Sequence, residues 1–122
     1  MKKNKSEESE EVASNTKEIW RVDLTGARGH EQKQERPAII WKDLDHAKMA
    51  IVIPLTKTLE RGRFPYTHRV SPTTKNGLTE ESIALVFQIR ALDKSRFVKK
   101  MGSLDESDAT CVAGVLRDLL KI

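Results

Sequence analysis

Few side chains in this sequence are placed to do chemistry. His30, His46 and His68 lie far apart, and no His-x3-His pattern or carboxylate-rich helix gives them partners, so no metal centre is expected. Asp43-x-Asp45-His46 is only a weak oxygen-rich cluster. Gly26-x-x-Gly29 lacks both the following lysine and the strand-to-helix setting of a phosphate-binding loop. Cys111 has no charged activator beside it in sequence and reads as a small helical residue. What remains is polar and clustered at strand ends: the loop Arg28-Gly29-His30-Glu31-Gln32 leading to Arg36-Pro37, the segment Pro54-Leu55-Thr56-Lys57-Thr58, and Phe87-Gln88-Ile89-Arg90.

These groups must be positioned by a small fold. The chain has 122 residues, room for one domain and no second catalytic one. Residues 1–17 hold four lysines, four glutamates and almost nothing apolar, which reads as a disordered charged leader; residues 18–122 are the folded domain. Lys and Arg number 22 against 18 Asp and Glu, and since the leader is neutral the net charge of +4 belongs to the fold. Between Arg28 and Lys100 the balance is 15 to 8, which favours an acidic partner such as nucleic acid over a neutral metabolite. One cysteine allows no internal disulfide and suits a reducing cytoplasm. No apolar run reaches the length of a membrane span, so no membrane partner is expected.

Ile19–Leu24 alternates, with Trp20, Val22 and Leu24 facing one way and Arg21 and Asp23 the other, as in a half-buried strand. Gly26–Glu35 is a polar loop. Pro37–Trp41 and Ala50–Ile53 are short β-branched runs that read as buried strands, Pro54 marking an edge or exit. Leu55–Arg63 is a basic connection, Phe64–Val70 an edge strand blunted by Pro65, and Ser71–Gly77 a turn. Ser82–Arg90, the longest apolar stretch, is expected to be one central strand, followed by a turn at Asp93-Lys94-Ser95 and a short strand at Arg96–Met101. Ser103-x-x-Glu106 matches a capping box, and Ala109, Val112, Ala113, Leu116, Leu119 and Leu120 then recur at helical spacing. The expected architecture is α+β: a small barrel of about five to seven short strands with a C-terminal amphipathic helix.

Six segments in order carry a family resemblance: Glu18–Leu24, Arg28–Gln32, Arg36–Ile40, Ile53–Thr56, Gly77–Ser82 and Gln88–Arg96. Together they resemble the MazF/PemK family of toxin endoribonucleases from about Lys17 to the C-terminus. The resemblance implies an SH3-like barrel, a symmetric dimer, and metal-independent, cofactor-free cleavage of single-stranded RNA at short sequences. The RNA's own 2′-hydroxyl attacks the adjacent phosphorus, leaving a 2′,3′-cyclic phosphate and a 5′-hydroxyl. On this alignment Arg36 is the catalytic arginine, its guanidinium a fork of donors for phosphate oxygens, and because arginine holds its proton so tightly the resemblance is read as transition-state stabilisation rather than acid catalysis. Thr56 matches the catalytic threonine; the alternative is a strand-end cap. Glu31 aligns with a mobile-loop acid, either base or organiser of Arg36, and His30 is a second choice of base. Gln88 either bonds a base edge or orients the arginine. Arg28, His30, Lys57, Thr58, Arg61, Arg63, Gln88 and Arg90, with Arg69 nearby, are the expected RNA contacts. Arg90 and Lys94 are also read as structural, paired to acids such as Asp93.

The sequence departs from the family at Lys17, where a glycine is common, at His30, at Trp41-Lys42-Asp43 in place of Ser-Asn-Asp, and at Phe87, where an acid is frequent. The implied partner besides RNA is an acidic antitoxin whose tail competes for the same cations. Two other readings stand: a gyrase poison of the same fold, disfavoured because no aromatic follows Phe97, and a degenerate member that binds without cutting.

Overall fold

The computed structural model describes residues 17–26 and 34–122. The leader expected over residues 1–17, Lys17 apart, and the candidates Arg28, His30 and Glu31 lie outside the described residues. The elements are β1 (Glu18–Asp23), β2 (Glu35–Leu44), β3 (Met49–Thr56), β4 (Thr67–Val70), β5 (Ser82–Leu85), β6 (Arg90–Asp93), β7 (Phe97–Ser103) and α1 (Glu106–Leu120). All pairings are antiparallel, in the order β4-β5-β3-β2-β1-β7, with β6 added against β3. The ladder runs from β4 to β7 without closing, so the expected barrel is an open seven-stranded sheet. Its end strand β7 is tied to the turn after β4 where the Ser103 amide donates to the Lys75 carbonyl at 2.9 Å.

Alternation along β1, β2 and β3 fills two cores. Ile19, Ile39, Ile53 and Leu55 join Val70, Leu104 and Val112 under α1, while Val22, Ala38, Ala50, Val52 and Leu92 form the second cluster. Burying each large aliphatic side chain here stabilises the fold by roughly 1.5–3 kcal/mol. Ile19 is therefore buried on the face opposite Val22, which a single half-buried strand did not anticipate.

The stretch Ser82–Arg90 is not one strand. It breaks at a 3-10 turn, Val86–Gln88, so that β5 and β6 both pair with β3 but at different places. β6 takes Met49–Val52 and β5 takes Leu55 and Thr56. Pro54 stands where β3 changes partner on that side, a position at which its missing N–H interrupts neither ladder. The capping box does not form either. Ser103 ends β7, Asp105 is the N-cap without a side-chain hydrogen bond, and Glu106 and Asp108 occupy the first turn, where the helix dipole favours acids. Asp108 accepts a 2.8 Å contact from His68 Nε2, joining α1 to β4.

Two departures from the family pattern meet. Trp41 is the extra residue of a β-bulge between Ile40 and Lys42. The Lys17 ammonium donates to its carbonyl at 2.9 Å and lies 4.4 Å from its ring centroid. Burial and then Lys42 push the Lys17 pKa down. Lys94 grips Asp43 at 2.5 Å and Asp45 at 2.6 Å, not Asp93, whose carboxylate instead accepts from the Ser95 amide.

Candidate active site

Arg36 and Thr56 are 20 positions apart in sequence, and the β2–β3 pairing brings them together. Arg36 is the second residue of β2, its exposed side chain leaving the open end of the strand; Thr56 is the last residue of β3, 6% exposed. Arg36 Nη1 donates to Thr56 Oγ1 at 3.4 Å, and the Thr58 amide donates to the same oxygen at 3.2 Å. Thr56 thus does serve as a local cap, yet its hydroxyl hydrogen has no acceptor among the described residues and remains available to an incoming oxygen. The guanidinium likewise makes this one hydrogen bond among the described residues, leaving most of its donor fork for a ligand.

A cleft of about 550 Å³ opens over the pair, walled by Arg21, Gln34, Lys57, Thr58, Thr79 and Glu80 among others. It continues into a hollow of about 210 Å³ that reaches Arg61, Gln88 and Arg90. Gln34, Arg36, Thr56 and Thr58 line both parts. Of the sequence candidates within the described residues, Lys57, Thr58, Arg61, Gln88 and Arg90 converge on this groove with Arg36 and Thr56. Arg63 lines neither part, and Arg69 is held at 2.9 Å by Glu81. Lys57 is 3.4 Å from Glu80 across the mouth, an exposed pair of little energetic weight. A larger hollow, about 1060 Å³, runs along α1 from Cys111 to Ile122 and contains none of the strand-end residues.

Arg21, Gln34 and Glu80 are among the lining residues that escaped the sequence reading. Arg21 was assigned only to the polar face of β1; it enters the cleft and lies 3.5 Å from Glu35. Gln34 is fixed by its carbonyl accepting from the Leu24 amide at 2.8 Å and its amide donating to Thr25 Oγ1 at 2.9 Å. Thr25 after Asp23 was the available signal, since both residue types form local side-chain turns. Glu80 could not be found without the register that sets β5 beside β3.

Comparison with known proteins fits this geometry. The family model for the PemK-like, MazF-like toxin of type II toxin–antitoxin systems matches residues 15–120. The chain is 31% identical over 93 residues to the endoribonuclease MazF of Staphylococcus epidermidis, covering 74% of this chain and 77% of that one. It is 30% identical over 92 residues to the endoribonuclease EndoA of Bacillus subtilis, covering 73% and 78%. The fold matches a crystal structure of MazE-MazF from Deinococcus radiodurans with a TM-score of 0.68 at 22% identity, covering 86% of this chain and 93% of that chain.

Proposed function

The chain belongs to the PemK-like, MazF-like toxins of type II toxin–antitoxin systems, and from that membership we propose that it is an endoribonuclease cutting single-stranded RNA without a metal ion. The proposed domain is residues 18–122. The observation that carries the reading is the Arg36–Thr56 contact at the floor of a groove lined by further cations and amides.

The chemistry follows from what an internal transfer at phosphorus requires. The RNA 2′-hydroxyl gives up its proton, the O2′–P bond forms, the P–O5′ bond breaks, and the departing 5′-oxygen takes a proton. Negative charge grows on the non-bridging oxygens meanwhile. Arg36 answers that charge with two parallel N–H donors and stays protonated throughout. Thr56 donates its free hydroxyl hydrogen to a phosphate oxygen, its own oxygen being held by Arg36 and the Thr58 amide. Glu31 is the proposed base, with His30 as the alternative. Gln88 and Arg90 face the RNA from the far part of the groove, Lys57, Thr58 and Arg61 follow its phosphates, and Arg28 and Arg63 are kept as further proposed contacts.

The same cations suit an acidic antitoxin, and a mycobacterial endoribonuclease of similar fold is described in complex with its cognate antitoxin. A symmetric homodimer is the proposed assembly. Among the described residues no helix is long and apolar enough to cross a membrane.

Incubation with a long single-stranded RNA in EDTA, beside Arg36→Ala and Thr56→Ala, tests the reading by end mapping. Cyclic phosphate and 5′-hydroxyl ends from the native protein alone are expected. Intact RNA overturns the nuclease assignment, and loss of cutting in EDTA overturns metal independence.

A further inference from the structure

Two phenylalanines stand exposed beside the groove. Phe64 is 47% and Phe87 39% accessible, unusual for aromatic rings in a sheet with two filled cores. Their centroids are 6.2 Å apart at 71°, an edge-to-face pair. Arg61 lies 5.7 Å from the Phe64 ring centroid. Pro65, Tyr66 and Gln88 complete the hollow of about 360 Å³ around them, and among the described residues no carboxylate lines it.

The backbone under both rings is held. Thr67 Oγ1 donates to the Phe64 carbonyl at 2.9 Å, and the Phe87 amide donates to the Tyr66 carbonyl at 3.2 Å. Tyr66 itself takes a left-handed φ of 63°, a conformation that non-glycine residues adopt at a cost. These bonds fix the backbone that carries both rings before any ligand arrives, which lowers the ordering cost of binding. The patch is continuous with the proposed RNA path, since Arg61 and Gln88 line both this hollow and the one reaching Arg36 and Thr56.

The geometry points to Phe64 and Phe87 as a stacking platform for one unpaired nucleobase of the RNA, the base lying on the face of one ring against the edge of the other, in a hollow that shares Arg61 and Gln88 with the one reaching Arg36. This inference rests on the nuclease reading and adds to it two binding residues that sequence reasoning did not select. An apolar corner of two rings with an arginine beside it, and no acid among its described lining residues, is the combination that a base on a phosphate chain satisfies. A protein segment would need only the apolar part.

The test uses a decamer of single-stranded 2′-O-methyl RNA spanning a mapped cleavage site, which lacks the attacking hydroxyl and is not cut. Binding by anisotropy is compared for the native protein, Phe64→Ala, Phe87→Ala, the double variant and Phe87→Tyr, with circular dichroism confirming the fold of each. A platform predicts roughly 5- to 150-fold weaker binding for the alanine variants, an unchanged salt slope because no charge is removed, and near-native binding for Phe87→Tyr. It also predicts one abasic position that weakens the native protein and does not further weaken the double variant. Native binding by the alanine variants while the protein still cuts RNA overturns the platform and leaves the nuclease reading standing. A changed sedimentation coefficient with unchanged RNA binding assigns the patch to a protein interface and overturns it too. If the native protein neither binds nor cuts RNA, both readings fall.

Discussion

Arg36 Nη1 reaches Thr56 Oγ1 from the neighbouring strand at 3.4 Å, and the Thr58 amide holds that oxygen from the other side. A guanidinium and a hydroxyl are thereby presented together at one end of β2 and β3, each with donor capacity left over. Because Arg36 is exposed, its removal should act on chemistry and hardly on folding.

Arg36→Ala is expected to lower cleavage of single-stranded RNA about 100- to 1,000-fold while the urea midpoint stays near native. Arg36→Lys keeps the charge but loses the fork, so it should rescue RNA binding more than turnover. Single-turnover rates at saturating protein separate the two effects, and a lysine variant as fast as the native protein would show that charge alone suffices.

Thr56 has two jobs, and two substitutions separate them. Thr56→Val removes the hydroxyl and leaves the Thr58 amide without its acceptor, so both rate and stability should fall, the latter by about 1 kcal/mol. Thr56→Ser retains the oxygen and should keep most of the activity. Equal activity in the valine variant would assign Thr56 to structure only.

The Lys94 clasp makes stability depend on pH at both extremes. Hydrogen bonding by Lys94, and then by Asp43, holds the Asp45 pKa below its ordinary 3.8, so the contribution of Asp45 is present above 3.8 and is lost as pH falls through its folded value. Asp43, and then Asp45, raise the Lys94 pKa above 10.5, so the contribution of Lys94 is present below 10.5 and is lost as pH rises through its folded value. The difference in urea midpoint between the native protein and Lys94→Met should therefore be constant at intermediate pH and shrink at both ends. A gap that persists into strong acid would refute the assignment.

Gly77 has a φ of +74°, and a Cβ placed there would overlap the Met101 carbonyl. Gly102 on the other side of this contact is as tightly closed, its added Cβ overlapping the Lys75 carbonyl. Gly77→Ala should destabilise the protein by more than about 1 kcal/mol, read as a lowered midpoint of thermal unfolding, whereas Gly114→Ala, in open space on α1, should stabilise by a few tenths up to about 1 kcal/mol.

The local signals were legible one element at a time. Alternation at Trp20, Val22 and Leu24, the β-branched runs at Pro37–Trp41 and Ala50–Ile53, and the three- and four-residue spacing from Ala109 to Leu120 each correspond to an observed element, because side-chain period and backbone period are the same physical fact. The 3-10 turn that divides β5 from β6 was not legible. Leu85 and Ile89 on either side of it are apolar, as is Val86 within it, and the break arises where the chain moves between two stretches of β3. The apparent capping box at Ser103 failed for a similar reason, its serine being already paired to Glu18 in the sheet.

The sequence by itself determined the chain's class, its basic excess, its family and the pair Arg36 and Thr56, since these reside in residue types and their order. Tertiary structure alone decided that the sheet stays open, that Lys17 meets Trp41, that Lys94 chooses Asp43 and Asp45, and that Phe64 stands beside Phe87. Each is a contact between segments distant in the chain, and such contacts depend on strand register and bulges, which no linear spacing encodes.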